Sequence, residues 1–291
     1  MSTTDGYKLN LIQWYPGHIA KAEKNLKKQL KLVDVVIEVR DARIPLTTHH
    51  PQVSEWIENK ARVLILNRLD MITPQIQAKW KDWFKQRKEL PYFTNAQKGQ
   101  GVMAVSKATQ AAGMAVNNRR YGRGMLPRPT RAVIIGFPNV GKSALINRLL
   151  GQKVVESAAR PGVTRQLRWV KISKDLELLD APGIIPTKLE NQRAALKLAI
   201  CDDIGEASYD NQLIAAGLVD ILLHLQEVAN ELLPKSPLRK RYGLDTNDDT
   251  GEAYLHSLAE YRYQGDLERT ARHLLTDYRK SYLGKIPLEL P

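Results

Sequence analysis

Cysteine is almost absent from this chain: among 291 residues there is one, Cys201. A single cysteine excludes an intramolecular disulfide framework and is typical of a reducing compartment. The sequence also has no uninterrupted apolar run of about 20 residues, the length that a membrane-spanning helix needs. Residues 1–15 are polar and lack the apolar segment of a signal peptide. We therefore expect a soluble, cytoplasmic protein without a membrane partner.

Acidic residues are scarce in the first two thirds of the chain. Residues 1–206 hold 34 Lys and Arg against 18 Asp and Glu, whereas residues 207–291 hold 10 against 13. The basic residues cluster on a predicted N-terminal helix, around a Gly/Pro-rich stretch and beside the segment RPGVTR. They are Lys21, Lys24, Lys27, Lys28, Lys31, Arg119, Arg120, Arg123, Arg128, Arg131, Arg160, Arg165 and Arg168. Such clusters favour binding to a phosphate backbone, although a solvated lysine face remains an alternative for the helix.

A phosphate-binding loop is the first motif that carries chemistry. Residues 136–143, GFPNVGKS, fit the pattern G-x-x-x-x-G-K-[ST] without a mismatch. The apolar run at 131–135 predicts a strand before the loop, and the spacing at 143–151 predicts a helix after it. Backbone N–H groups and a lysine of such a loop bind phosphate oxygens, and its Ser holds magnesium. The residues predicted to line the phosphates are Asn139, Val140, Gly141, Lys142, Ser143 and Ala144.

The remaining motifs of a guanine-nucleotide switch are present in an unusual order. Thr164 and Asp180 follow the loop and are predicted to complete the magnesium shell, and Gly183 to donate its N–H to the γ-phosphate. The base-reading motif N-K-x-D is missing from everything after residue 183. It lies upstream instead, as NRLD at residues 67–70, directly after the apolar run 63–66.

The base-reading residues point to guanine. The carboxylate of Asp70 matches guanine because only that base presents a ring N–H and an exocyclic amine on one edge, which rejects ATP. Asn67 is expected to buttress the neighbouring loops, and Arg68, which stands where Lys is usual, can stack on the base. A backbone N–H for the guanine carbonyl is expected from the segment Thr94, Asn95 and Ala96.

The motif order is therefore cyclically shifted. Chain termini of compact domains often lie close together, so cutting one connection and joining the old ends leaves a sheet intact. The cut falls just after the D-x-x-G segment, which moves with the state of the γ-phosphate. We expect the C-terminal third, which that segment enters directly, to be the output lever of the switch.

Five segments support a resemblance to a known family: IQWYPGHIAKA, VRDARIP, GFPNVGKS, RPGVTR and LLDAPGI. Together with the shifted order they resemble the ribosome biogenesis GTPase A family of circularly permuted GTPases, over roughly residues 11–290. The resemblance implies an α/β fold, with a circularly permuted Ras-like P-loop GTPase domain at 1–190 and a small all-helical domain at 191–291. It also implies a monomeric GTPase that docks on a precursor of the large ribosomal subunit and its rRNA, and leaves on hydrolysis.

The catalytic group is not given by the usual glutamine. Ile184 and Ile185 follow the D-x-x-G segment where a water-orienting Gln is common, so we expect slow intrinsic hydrolysis that a partner accelerates. The resemblance points to His18 as the catalytic residue, although His18 could instead cap a helix or pack on Trp14. It also implies a potassium ion at Asn139.

Two functions are alternatives to a ribosome-assembly GTPase. A GTP-dependent RNA-binding factor without particle-stimulated turnover remains open, whereas a metabolic P-loop kinase leaves NRLD unexplained.

Beyond the motifs, the pattern predicts helices at 16–31, 50–60, 73–87 and 100–120, a strand at 33–41, and helices from about residue 190 onward. Because the last third is acidic, its rRNA contact is expected at a patch on one helix, formed by Arg262, Arg269, Arg272 and Arg279.

Overall fold

The computed structural model describes residues 26–151, 168–180, 191–205, 209–246 and 250–291. These residues form two compact bodies. The first contains residues 26–151, 168–180 and 289–291, and the second contains residues 191–205, 209–246 and 250–288. The assignment of GTP binding to 1–190 and of ribosome docking to 191–291 stays a prediction.

The first body is built on a six-stranded sheet with the strand order β3-β2-β1-β4-β6-β5. The strands are β1 (Val35–Asp41), β2 (Ala61–Asn67), β3 (Tyr92–Thr94), β4 (Thr130–Ile135), β5 (Arg168–Ser173) and β6 (Leu176–Asp180). All neighbours pair in parallel except β5, which runs antiparallel to β6. The carboxyl ends of β1, β2, β3, β4 and β6 therefore lie at one edge of the sheet, the place where open α/β sheets bind ligands.

Helices cover both faces of this sheet. They are α1 (described at 26–30), α2 (Val53–Ile57), α3 (Pro74–Gln86), α4 (Val102–Tyr121) and α5 (Lys142–Leu150). On one face α4 packs on β2 and β4 and contacts α5. On the other face a buried apolar cluster joins Leu26 and Leu30 of α1 to Val36 of β1 and Trp56 of α2. The β1 strand is thus covered on both sides, and all seven of its residues are buried.

Local signals fixed most of these elements. Helix α3 begins as the sequence predicts, with Thr73 accepting the N–H of Ile76 at 3.3 Å and proline in the first helical position. Helix α5 ends at Gly151, whose φ of 69° is left-handed. The helix predicted at 50–60 is wrong in length, because only Val53–Ile57 is helical and Glu58 ends it with a φ of 51°.

The second body is helical, as predicted. Its helices are α6 (Gln192–Ile200), α7 (Asn211–Ala229), α8 (Pro237–Tyr242), α9 (Gly251–Tyr263) and α10 (Leu267–Arg279). Helix α7 is long and apolar enough to cross a membrane by composition alone. Here it is the central helix, because it contacts α6, α9 and α10 and buries Leu218 and Val219 completely.

The arginine patch predicted on one helix is wrong. Arg262 belongs to α9 and the other three arginines to α10. Arg279 is turned inward, where its guanidinium donates to the carbonyls of Ala199 at 2.9 Å and Ile200 at 3.0 Å at the end of α6. Arg272 forms an ion pair with a glutamate one turn earlier. The patch fails because one guanidinium caps a helix instead of facing solvent.

Candidate nucleotide-binding site

The loop between β4 and α5 approaches two neighbouring segments so closely that its two motif glycines cannot be replaced. Gly136 has a φ of 150°, and a Cβ there would lie 2.3 Å from the carbonyl oxygen of Val39 in β1. Gly141 has a φ of 102°, and a Cβ there would lie 2.2 Å from Nδ2 of Asn67. Both positions demand left-handed backbone and no side chain. The second glycine marks the point where NRLD touches the phosphate-binding loop.

Asn67 joins three loops at this point. Its Nδ2 donates to the carbonyl of Val140 at 2.8 Å. Its Oδ1 accepts from Thr94 Oγ1 at 2.9 Å and from the N–H of Ala96 at 3.0 Å. The side chain is buried, so these bonds are shielded from water. A residue encoded 73 positions earlier thus ties the NRLD segment to the phosphate-binding loop.

Arg68 makes a second bridge between the same segments. It has a left-handed backbone with a φ of 65°, and its NH2 group donates to the carbonyl of Asn139 at 2.7 Å. Its Nε lies 3.3 Å from Oδ2 of Asp41, the last residue of β1. Asp41 is fully buried and also accepts from Arg43 Nε at 3.0 Å and from Arg43 NH2 at 2.7 Å. We call Asp41, Arg43 and Arg68 the Asp41 cluster.

The Asp41 cluster keeps its carboxylate ionised. Burial alone would raise the pKa of Asp41, but the charges of Arg43 and Arg68 and the hydrogen bonds from Arg43 outweigh burial and hold that pKa below its usual value. Sequence reasoning did not single out Asp41 as a site residue. The available signal was a charged pair, Asp41 at the end of a buried strand and Arg43 just after it, at the ligand-binding edge.

The base-reading end of the site has two groups that the described residues leave available. Asp70 lies half-buried on a short 3-10 turn, and no described residue donates to its carboxylate. In the predicted closing loop, the N–H of Asn95 already donates within its own loop and that of Ala96 donates to Asn67. The next donor is the N–H of Gln97, for which the described residues supply no acceptor. Sequence reasoning missed Gln97, because a backbone donor leaves no trace in residue type.

The phosphate end of the candidate site contains an ammonium, a hydroxyl and a carboxylate from neighbouring elements. Lys142 is buried, and its Nζ donates to the carbonyls of Gly136 at 3.1 Å and Phe137 at 2.7 Å, so the ammonium lies over the loop. Ser143 stands in the first turn of α5, and the buried Asp180 ends β6 next to β4.

The residues present fit magnesium bound mainly through a nucleotide. A hydroxyl and a carboxylate are oxygen donors of the kind that Mg²⁺ uses when phosphates and water supply its other ligands. Within the described ranges, no group of three or more His, Cys, Asp and Glu side chains could hold a metal ion by itself. His18, Thr164 and Gly183, also predicted for this site, lie outside the described residues, whereas Ala144 follows Ser143 in α5.

A second buried charge cluster lies on β1, near the same edge. Glu38 is 1% exposed, and its carboxylate lies 2.7 Å from Arg40 Nε, 2.9 Å from Arg62 Nε and 2.8 Å from His49 Nδ1. Burial raises the pKa of Glu38, but the hydrogen bond to His49 and the charges of Arg40 and Arg62 lower it from 4.5 to about 2. Glu38 is therefore a charged anchor of the central strand.

Comparison with known proteins identifies a matching family and similar proteins. A family model described as 50S ribosome-binding GTPase matches residues 131–243. The Bacillus cereus protein named ribosome biogenesis GTPase A is 34% identical over 287 residues, which cover 97% of this chain and 94% of that protein. Its namesake from Thermotoga maritima is 30% identical, covering 96% and 95%.

Solved structures are similar over nearly the whole chain. A GDP-bound YlqF structure has a TM-score of 0.64 at 22% identity and covers 92% of this chain and 99% of that one. The crystal structure of GNP-bound YlqF from T. maritima has a TM-score of 0.61 at 23% identity, covering 93% and 98%. From the relatives' identity and coverage, the chain belongs to the ribosome biogenesis GTPase A family, with the fold of a circularly permuted GTPase followed by a helical C-terminal region.

Proposed function

We propose that this protein binds and hydrolyses GTP and acts as an assembly factor for the large ribosomal subunit. The observation that carries the nucleotide part is the bond from Asn67 Nδ2 to the carbonyl of Val140. It joins a motif that reads guanine to a loop that binds phosphates, although the chain encodes the two in reverse order. The relatives' name, ribosome biogenesis GTPase A, supports the biological role.

In the proposed complex each end of the site has a defined task. Asp70 accepts the guanine ring N–H and exocyclic amine, and the guanidinium of Arg68 lies over the base. The N–H of Gln97, the uncommitted donor beyond Ala96, faces the guanine carbonyl. The phosphates are bound by the loop residues 139–144, with Lys142 neutralising the β and γ oxygens.

Magnesium and potassium are the proposed metal ions. Ser143, Thr164 and Asp180 hold magnesium, directly or through water, and Gly183 donates to the γ-phosphate. Asn139 holds potassium, and its left-handed φ of 56° lets its carbonyl face Arg68 while the loop turns. His18 orients the attacking water, a role that Ile184 and Ile185 cannot fill.

The proposed partner is a precursor of the large subunit and its rRNA. The protein binds this particle in its GTP state and leaves after hydrolysis, as a cytoplasmic monomer between rounds. Intrinsic hydrolysis is slow and the particle stimulates it. The basic first body supplies electrostatic attraction to rRNA, and residues 191–291 contribute to docking.

Binding and turnover measurements test the two halves of this proposal separately. In calorimetry we expect GTP and GDP to bind and ATP not to compete, whereas equal competition by ATP would contradict guanine recognition. In turnover assays we expect large-subunit precursors to raise the GTPase rate severalfold over mature subunits, with Lys142→Ala inactive as the control. GTP-dependent particle binding without stimulation would instead favour the RNA-binding factor.

A further inference from the structure

Glu289, which lies far from the nucleotide motifs in sequence, is part of the first body. It is 8% exposed, and its Oε2 accepts from the backbone N–H groups of Leu46 at 2.8 Å and Thr47 at 3.2 Å. Its Oε1 accepts from the hydroxyl of Thr47, and its own N–H donates to the carbonyl of Arg43 at 3.2 Å. One carboxylate thus satisfies three donors of the turn at residues 41–48, which we call the β1 turn.

Within the β1 turn, Thr48 binds Asp41, and the turn is also bonded to the base-reading segment NRLD. Thr48 Oγ1 accepts the N–H of Asp41 at 3.0 Å and donates to the carbonyl of Ile44 at 2.8 Å. The N–H of Ala42 donates to the carbonyl of Asn67 at 2.8 Å. The β1 turn is therefore a frame for the carboxylate of Asp41. Glu289 binds this frame on one side, and NRLD contacts it on the other.

Arg68 depends on that frame for its orientation. Two anchors define its guanidinium, Nε near Asp41 and NH2 on the carbonyl of Asn139. An arginine presents its donors in a fixed planar fork, so moving one anchor tilts the whole plane. The plane that would tilt is the one placed to stack on the base. A displacement of the β1 turn should therefore reach the nucleotide through Arg68.

We propose that Glu289 is a positioning residue for guanine recognition, acting through the β1 turn and Asp41 on Arg68. This inference rests on the proposed GTP binding. Without the Glu289 carboxylate, the N–H groups of Leu46 and Thr47 lose charge-assisted bonds, and the turn relaxes toward solvent. Because the effect falls on the base and not on the γ-phosphate, GTP and GDP affinity should decrease by the same factor. KM should rise while kcat is unchanged.

A double-mutant cycle on the full chain separates positioning from a merely structural role. We expect Glu289→Ala to weaken GDP binding threefold to tenfold in calorimetry. In an Arg68→Ala background the same substitution should change the affinity less than twofold, because coupled residues are not additive. Thr47→Val, which keeps the backbone donors, should weaken GDP binding in the same direction but less. Glu227→Ala, at a glutamate whose side chain is 78% exposed, is the matched control and should leave affinity unchanged.

Each result decides the matter. Equal losses of GDP affinity in the wild-type and Arg68→Ala backgrounds would overturn the positioning role while leaving GTP binding intact. So would an unchanged affinity in both Glu289→Ala and Thr47→Val. If Glu289→Ala does not fold, the cycle is run with Thr47→Val, and additivity there has the same meaning. A wild-type chain that binds no GDP would overturn the proposed function itself, and this inference with it.

Discussion

At the scale of single residues, Asp70 is the group that we propose selects the base. Guanine presents an amine where xanthine presents a carbonyl, so an acceptor at this position favours the first and a donor favours the second. We expect Asp70→Asn to lower GTP affinity at least tenfold and to raise the affinity for xanthosine triphosphate. Competition against a fluorescent guanine nucleotide measures both.

The neighbouring aspartate Asp82, exposed on α3, provides the control for that exchange. Asp82→Asn should leave both affinities unchanged because the residue lies on the outer face of a helix and not on the loop that follows β2. An Asp70→Asn variant with unaltered preference for GTP would show that the carboxylate does not contact the base.

Glu38 makes a prediction about acid stability. Its pKa is lowered from 4.5 to about 2 in the folded chain. The stabilisation from Glu38 is therefore complete above about pH 4.5 and is lost as the pH falls toward 2. Urea unfolding between about pH 6 and pH 3 should show the free energy of unfolding decrease by roughly 1–3 kcal/mol from this group. Glu38→Gln should be less stable at about pH 6 and should lose less stability on acidification. Parallel pH profiles for the two proteins would contradict this assignment.

At this scale, sequence patterns predicted contacts that involve recognisable local motifs. They missed contacts between distant positions that belong to no motif. NRLD and GFPNVGKS are recognisable from residue type and spacing, and Asn67 indeed lies against Val140. The Asp41 cluster was within reach only as a charged pair after a strand. The hydrogen bond between Glu289 and Thr47 joins positions 242 residues apart and carries no local pattern at all.

At the scale of secondary-structure elements, α4 contains a glycine that helix propensity alone would misjudge. Replacing a helical Gly by Ala usually stabilises by about 1 kcal/mol. At Gly113, however, a Cβ would lie 2.0 Å from Thr130 Oγ1 at the start of β4. We expect Gly113→Ala to destabilise the protein by roughly 1–3 kcal/mol in chemical denaturation, because α4 must move off the sheet.

Gly122, just after the same helix, is the matched control. Its φ is −61°, and the nearest atom to an added Cβ is 3.6 Å away, an ordinary van der Waals distance. Gly122→Ala should therefore be neutral or slightly stabilising. If both alanine variants gained stability, the close packing of α4 on β4 would be disproved.

Elements whose formation depends on distant pairing were the ones that sequence patterns missed. Strand β5 has charged residues within it and only one sheet neighbour, so neither composition nor periodicity marks it. Strand β3 has three residues, too few for a pattern. By contrast β2 and β4 are mainly apolar runs, and β1 and β6 keep apolar residues on both sides of a buried or half-buried glutamate. The strand order around β1 explains how a shifted motif order still brings two loops together.

At the scale of the whole molecule, part of the excess positive charge lies on a connection away from the proposed nucleotide site. Residues 122–129 connect the end of α4 to the start of β4, at the edge of the sheet opposite the phosphate-binding loop. Arg120 holds this connection by donating to the carbonyl of Leu126 at 3.0 Å and 3.2 Å. Tyr121 and Leu126 nevertheless remain 79% and 84% exposed. An exposed ring at the end of a helix, beside this connection and between arginines, can stack on unpaired bases.

Single-stranded RNA binding tests whether this connection carries the proposed rRNA contact. We expect the exposed pair Arg119→Glu and Arg123→Glu, made together, to weaken binding of a labelled RNA oligonucleotide and to flatten its dependence on salt. The slope of log affinity against log salt should fall by about 1 for each phosphate that the variant no longer neutralises. Tyr121→Ala should lower the affinity for RNA roughly tenfold and leave the salt slope unchanged, because stacking releases no counterions.

Lys79→Glu with Lys81→Glu reverses the same number of charges on the exposed face of α3 and controls for net charge alone. If attraction comes only from the overall charge of +13, both double variants should weaken binding equally. A larger decrease in affinity from the connection than from α3 would locate the RNA site at the edge opposite the nucleotide. GTP and RNA could then occupy the protein together, as the proposed GTP-dependent docking on a ribosomal precursor requires.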